Sequence, residues 1–147
     1  MDKLDLLNIA LRIESTGYEG YKKMAERSNE EAIKSFFERL AQQEREHYET
    51  FRDIFKNIES KEELRNWADE EALGYWQSYA QLSIFPRIAN NQMPESYVEA
   101  LDQAIESEKD SIIFYNGIKE YFSGKEEIQN IIKEEQIHLM DLLTLKK

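Results

Sequence analysis

Cysteine is absent from this 147-residue chain, so it can form no disulfide, thiolate metal site or iron–sulfur cluster of its own. Only five glycines and two prolines occur, too few to punctuate the many turns of a β sandwich or barrel. No Lys/Arg run is present and the formal net charge is −11, which argues against a chain that neutralises a phosphate backbone. Nucleic acid is therefore not an expected partner. Long apolar runs are missing too: no segment approaches membrane-spanning length, and Met1 to Leu7 lacks the apolar stretch of a signal peptide. A cytoplasmic protein without a membrane partner is the expectation.

What remains is helix-forming material. Glu, Ile, Leu and Lys are the commonest residues, and Glu, Leu and Lys lose little on entering a helix. The length suits one domain over 1–147 with a real core. Apolar residues recur at alternating spacings of three and four in four segments, which predicts four bundle helices over about 2–26, 29–57, 94–122 and 125–145. Ser28 with Glu31 reads as a capping box opening the second helix, and Ser60 with Glu63 as another. Pro94 suits the first turn of the third helix, and Ser123-Gly124 breaks the chain before the fourth. Short loops make helices one and two, and three and four, antiparallel hairpins. The connection over about 58–93 is too long for a turn. It is expected to hold a helix over about 61–82 bearing Trp67, Tyr75, Trp76 and Tyr79, then irregular chain from Phe85-Pro86 to Asn90-Asn91. These aromatics are expected to pack over the bundle or a subunit partner, with a substrate lid as the alternative. The fold class is all-α: a four-helix bundle of two helical hairpins joined by a long, partly helical crossover.

Six polar residues interrupt the apolar seams, each near mid-helix: Glu14, Glu44, His47, Glu108, Glu135 and His138. Two come as Glu44-x-x-His47 and two as Glu135-x-x-His138, a spacing that puts carboxylate and imidazole on one helix face. The halves repeat: Ala10, Glu14 and Tyr21 are spaced as Ala104, Glu108 and Tyr115, and each set precedes a Glu-x-x-His helix. Glu46, Glu49, Glu106 and Glu134 lie within two residues of these positions but off the seam, and are assigned to the solvated face.

Four carboxylates in one bundle layer cannot simply be buried as ions, because each would cost several kcal/mol to desolvate and they repel one another. Without a partner they must bind protons. Two divalent cations remove the difficulty, since four negative charges balance four positive ones and neutral imidazoles complete the coordination. Carboxylate and imidazole without thiolate suit iron, manganese or zinc, with two iron ions first choice and manganese second.

On these residues, their order and the long crossover, the chain resembles the ferritin-like superfamily, in particular the diiron domain of rubrerythrins. The resemblance covers nearly the whole chain. It implies that Glu44 and Glu135 bridge the two metals, that Glu14 and Glu108 are terminal or shifting ligands, and that His47 and His138 give one nitrogen to each ion. It also implies hydrogen bonds near the cluster from Tyr21 and Tyr115, which lie seven residues beyond the lone glutamates, about 10 Å along the axis; core aromatics with tied hydroxyls are the alternative. Asp141, one turn after His138, is a candidate acceptor for an imidazole. Two departures stand out. Rubrerythrins append a cysteine-ligated iron domain that relays electrons, and many carry an extra metal-binding Glu one turn after the third-helix Glu. Here the first is absent, and that second position is Ser111, with Gly17 as its repeat equivalent.

The implied function is a diiron oxidoreductase that reduces hydrogen peroxide or dioxygen with electrons from a separate redox protein, and a homodimer is the expected assembly. The alternatives are an iron-binding, ferroxidase or storage protein, and a helical interaction module without redox activity.

Overall fold

In the computed structural model the chain is described over residues 3–57, 70–86, 96–122 and 124–147, and every regular element among them is helical. Helix α1 spans Lys3–Arg27 and α2 spans Glu31–Lys56. A crossover helix α3, Glu70–Tyr79, runs on into a widened π turn, Ala80–Ile84. Helix α4 spans Tyr97–Ile118, continues as a short 3-10 turn over Lys119–Tyr121, and is followed by α5, Lys125–Lys146.

Helix α1 packs along α2 and α4 along α5, as two hairpins that meet through α1 with α4 and α2 with α5. The seam period is the reason. Phe37, Leu40, Ala41, Glu44, His47, Phe51 and Ile54 form the buried stripe of α2, three and four residues apart, so one face stays inward for the length of the helix. Asp5 in the first turn of α1 and Arg27 in its last complement the helix dipole.

Some boundaries differ from expectation. The Ser28–Glu31 capping box does not form: Glu30 occupies the N-cap of α2 without a side-chain cap, and the Ser28 hydroxyl instead donates to the Glu30 carbonyl oxygen. The start of α4 is capped by Ser96, whose side chain accepts from the Glu99 amide at 3.1 Å; Pro94 lies outside the described residues, as do Trp67 and the Ser60–Glu63 box. Phe85 and Pro86 are helical rather than irregular. The π turn precedes Pro86, where the missing amide hydrogen leaves the ordinary helical ladder one donor short.

The crossover packs on the bundle. Leu73, Ala80 and Ile84 are buried in the core cluster that also holds Leu6, Ile13, Phe114 and Ile118. Trp76 meets Phe114 edge-on at 6.2 Å, and Arg12 of α1 lies over the Phe85 ring at 4.1 Å. Gly117 makes this seat possible, since a Cβ there would come within 1.9 Å of the Trp76 ring. A second core cluster, with Tyr21, Phe37, Leu40, Leu101 and Leu142, fills the other end of the bundle. A polar layer lies between the two.

Candidate metal centre

That layer consists of Glu14 from α1, Glu44 and His47 from α2, Glu108 from α4, and Glu135 and His138 from α5. None of the six is more than 3% exposed. Their positions on four seams bring them together: each helix delivers its polar residue where an apolar one would otherwise pack. The ligand atoms gather into two groups, each with all its atoms within 4.8 Å of one another: Glu14, Glu44, His47 and Glu135, and Glu44, Glu108, Glu135 and His138. Glu44 and Glu135 belong to both. The imidazole rings lie 6.1 Å apart, centroid to centroid, and near parallel.

The hydrogen bonds follow the same twofold pattern. Tyr115 of α4 donates to Glu14 at 2.7 Å, and Tyr21 of α1 donates to Glu108. Each tyrosine thus orients the lone glutamate of the opposite hairpin. Of the His47 ring nitrogens, Nδ1 faces Glu135 Oε1 at 2.8 Å and Glu14 Oε2 at 3.6 Å, while Nε2 meets Glu134. For His138, Nδ1 faces Glu44 at 3.4 Å and Glu108 at 3.7 Å, and Nε2 meets the Gln43 side-chain oxygen.

Gln43 and Glu134 were not singled out by the seam pattern, and Glu134 corrects it: its carboxylate, though about half exposed, holds an imidazole rather than facing only water. Gln43, not Asp141, is the acceptor for His138. The signal was present, since each residue immediately precedes the glutamate of a Glu-x-x-His and reaches the histidine of the other hairpin. Holding Nε2 outward leaves Nδ1 of each ring facing the layer. Glu46, Glu49 and Glu106 are exposed, as expected.

Burial pushes the Glu44 carboxyl well above its ordinary value, and the charges of Glu135 and Glu14 add to that. For Glu135, burial acts in the same direction, but the neighbouring His138 and His47 imidazoles prevail and hold it low. Burial alone would lower His47; the adjacent Glu135 and Glu14 carboxylates outweigh it and push the imidazole up to about 11. Tyr21 and Tyr115 are raised by burial and by neighbouring carboxylates, which keeps both hydroxyls as donors.

Even so, the layer is not satisfied. Glu14 Oε2, Glu44 Oε1, Glu108 Oε2, Glu135 Oε2 and His138 Nδ1 are buried without a hydrogen-bond partner. Unmet buried acceptors are strongly unfavourable, and five aimed at one layer with carboxylate and imidazole chemistry fit a pair of hard or borderline cations. The six residues therefore suit metal. Among the described residues no fifth carboxylate joins the four in either ligand group: the Ser111 hydroxyl donates to the Ser107 carbonyl oxygen at 3.0 Å, and a Cβ at Gly17 would lie 3.1 Å from Glu44 Oε2.

Among described residues no helix is long and apolar enough to cross a membrane. No curated protein matches the chain. Among solved structures it is similar to a Thermotoga maritima protein described as ferritin-like and diiron-carboxylate, with 30% identity, a TM-score of 0.73, and coverage of 99% of this chain and 95% of that one. A model of the family described as Rubrerythrin matches residues 5–146. The all-α bundle, the buried glutamate–histidine layer and the match over nearly its whole length lead to one conclusion: the chain belongs to the rubrerythrin family and has the ferritin-like fold.

Proposed function

We propose that this protein is a dinuclear metal oxidoreductase that reduces an O–O bond, that of hydrogen peroxide or dioxygen, with electrons delivered by a separate redox protein. The observation that carries the reading is the overlap of the two ligand groups through Glu44 and Glu135. Glu14 and His47 would hold one ion, Glu108 and His138 the other, and the two shared carboxylates both. Iron suits this donor set first and manganese second. Two redox-active ions held there would supply one electron each to a bound oxidant.

The chain's own residues have distinct tasks. The apolar clusters on either side of the layer keep bulk water away from it, which strengthens every charge interaction inside. Tyr21 and Tyr115 hold Glu108 and Glu14 in position and keep two hydroxyl protons beside the layer. Glu134 and Gln43 fix the imidazoles. These 147 residues include no cysteine and so no thiolate-held electron relay, and a separate redox protein would deliver the electrons.

The experiment is metal analysis followed by stopped-flow absorbance of the iron-loaded, reduced protein mixed with peroxide or with oxygen. Reoxidation that consumes two electrons per chain is expected, and the faster oxidant is the natural one. A metal-loaded protein inert to both would refute the reading.

A further inference from the structure

A cleft of about 1000 Å³ opens between α1 and α4, the two helices that contribute no imidazole. Gly17, Gly20 and Met24 on α1, Ile33 and Phe37 on α2, and Ala100 and Ala104 on α4 give it apolar wall, and the exposed side chains of Glu19, Lys23, Arg27 and Glu30 border it with charge. Buried Tyr21 faces it as well. It adjoins the metal-binding layer at two points. The Tyr21 hydroxyl donates to Glu108. Gly17, which lines the cleft, also abuts Glu44, since a Cβ there would lie 3.1 Å from the carboxylate.

The size decides what the cleft suits. Hydrogen peroxide needs roughly the space of two waters, on the order of 60 Å³, less than a tenth of what is there. Clefts of this volume with largely apolar walls take organic molecules. We infer that the cleft seats the hydrocarbon part of an organic hydroperoxide, whose O–O group meets the layer beside Gly17 and Tyr21. This rests on the O–O-reducing function proposed above and names its substrate class. The balance is that of a two-electron reduction. The O–O bond of ROOH breaks, the carbon-bound oxygen takes one proton and leaves as the alcohol ROH, and the terminal oxygen takes another and leaves as water. The two electrons are those that the reduced metal pair supplies, and the two protons come from solvent.

Gly20 offers a clean test. It is exposed, and a Cβ there would meet nothing within 4 Å, so Gly20→Phe adds bulk along the cleft without displacing packing and with better helix propensity. Ala100→Phe obstructs it from the opposite wall. Two measurements are made on the unmodified protein and both variants. The first is calorimetric binding of 2-phenyl-2-propanol, the alcohol product of cumene hydroperoxide, to the redox-inert zinc-loaded form. The second is the rate at which cumene hydroperoxide and hydrogen peroxide each reoxidise the reduced iron-loaded form. Saturable alcohol binding, weakened at least tenfold in both variants, is expected, with a fall of tenfold or more in the cumene hydroperoxide to hydrogen peroxide rate ratio. Absence of saturable binding by the unmodified protein, or an unchanged ratio in both variants, would overturn the inference. Reoxidation by hydrogen peroxide with cumene hydroperoxide inert overturns it too, yet leaves the broader function standing. Inertness to both peroxides and to oxygen removes both.

Discussion

Replacing Glu44 by glutamine in metal-stripped protein should make the fold more stable at neutral pH, although the substitution removes a metal ligand. Glu44 is buried among Glu135 and Glu14, and its carboxyl is pushed well above its ordinary value of 4.5. A carboxyl raised in the folded state binds its proton more tightly there than in the unfolded chain. Stability therefore falls as pH rises above 4.5, and goes on falling until the folded-state value is passed. Each pH unit in that window is worth about 1.4 kcal/mol. The distance from 4.5 to neutral sets a ceiling of about 3 kcal/mol on the penalty that Glu44 imposes at pH 7. Glutamine has nearly the same shape and needs no proton, so Glu44→Gln should recover up to about 3 kcal/mol, which for a domain of this size is up to roughly 10 °C in Tm. The assay is urea denaturation of chelator-treated protein at pH 5 and pH 7. The advantage of the variant should be small at the lower pH and grow toward the higher. A variant less stable than the parent by the same amount at both values would refute the reasoning. With metal restored the order should reverse, because the parent alone binds both ions well and ligand binding adds to its stability.

Metal uptake should expel protons: with its pKa near 11, His47 is an imidazolium at neutral pH in the metal-free protein, and a metal must displace that proton. Affinity should therefore rise with pH, and the apparent binding enthalpy should change between buffers of different ionisation enthalpy; identical enthalpies would contradict this. Glu134→Ala and Gln43→Ala should each weaken metal binding by about 10- to 100-fold while leaving all six inward residues in place, as read by competition with a chelating dye. Gly117→Ala should lower stability by about 1–3 kcal/mol and shift tryptophan emission, since the new methyl group must displace the Trp76 ring; an unchanged spectrum and Tm would show that Trp76 does not seat there.

The layer was legible in the sequence because binary patterning makes a polar residue on an apolar seam conspicuous. Glu14, Glu44, His47, Glu108, Glu135 and His138 each broke a run of period three and four, and the structure brings all six to one level. The bundle topology was legible for a related reason, as short breaks force antiparallel hairpins. Less was visible where the determinant is tertiary. Gln43 and Glu134 sit one residue off the seam, so on their own helices they look solvated, and only the facing hairpin shows what they touch. Leu6, Ala10, Ile13 and Phe114 are buried because the crossover joins the cluster they occupy. The cleft depends on the separation of α1 from α4, which no local spacing encodes. The Ser28 misreading is local: serine two residues upstream of Glu30 bonds to its carbonyl oxygen instead of capping the helix.

The claim that matters most is that paired cations hold these carboxylates and imidazoles inside the bundle, and elemental analysis of protein purified from iron-supplemented cells tests it most directly. Two transition-metal ions per chain are expected, most of them lost in Glu44→Ala and in Glu135→Ala, each of which removes a ligand common to both sites, and both kept in Glu46→Ala. Stoichiometry unchanged by the first two substitutions, or a parent protein with no bound transition metal, would contradict it.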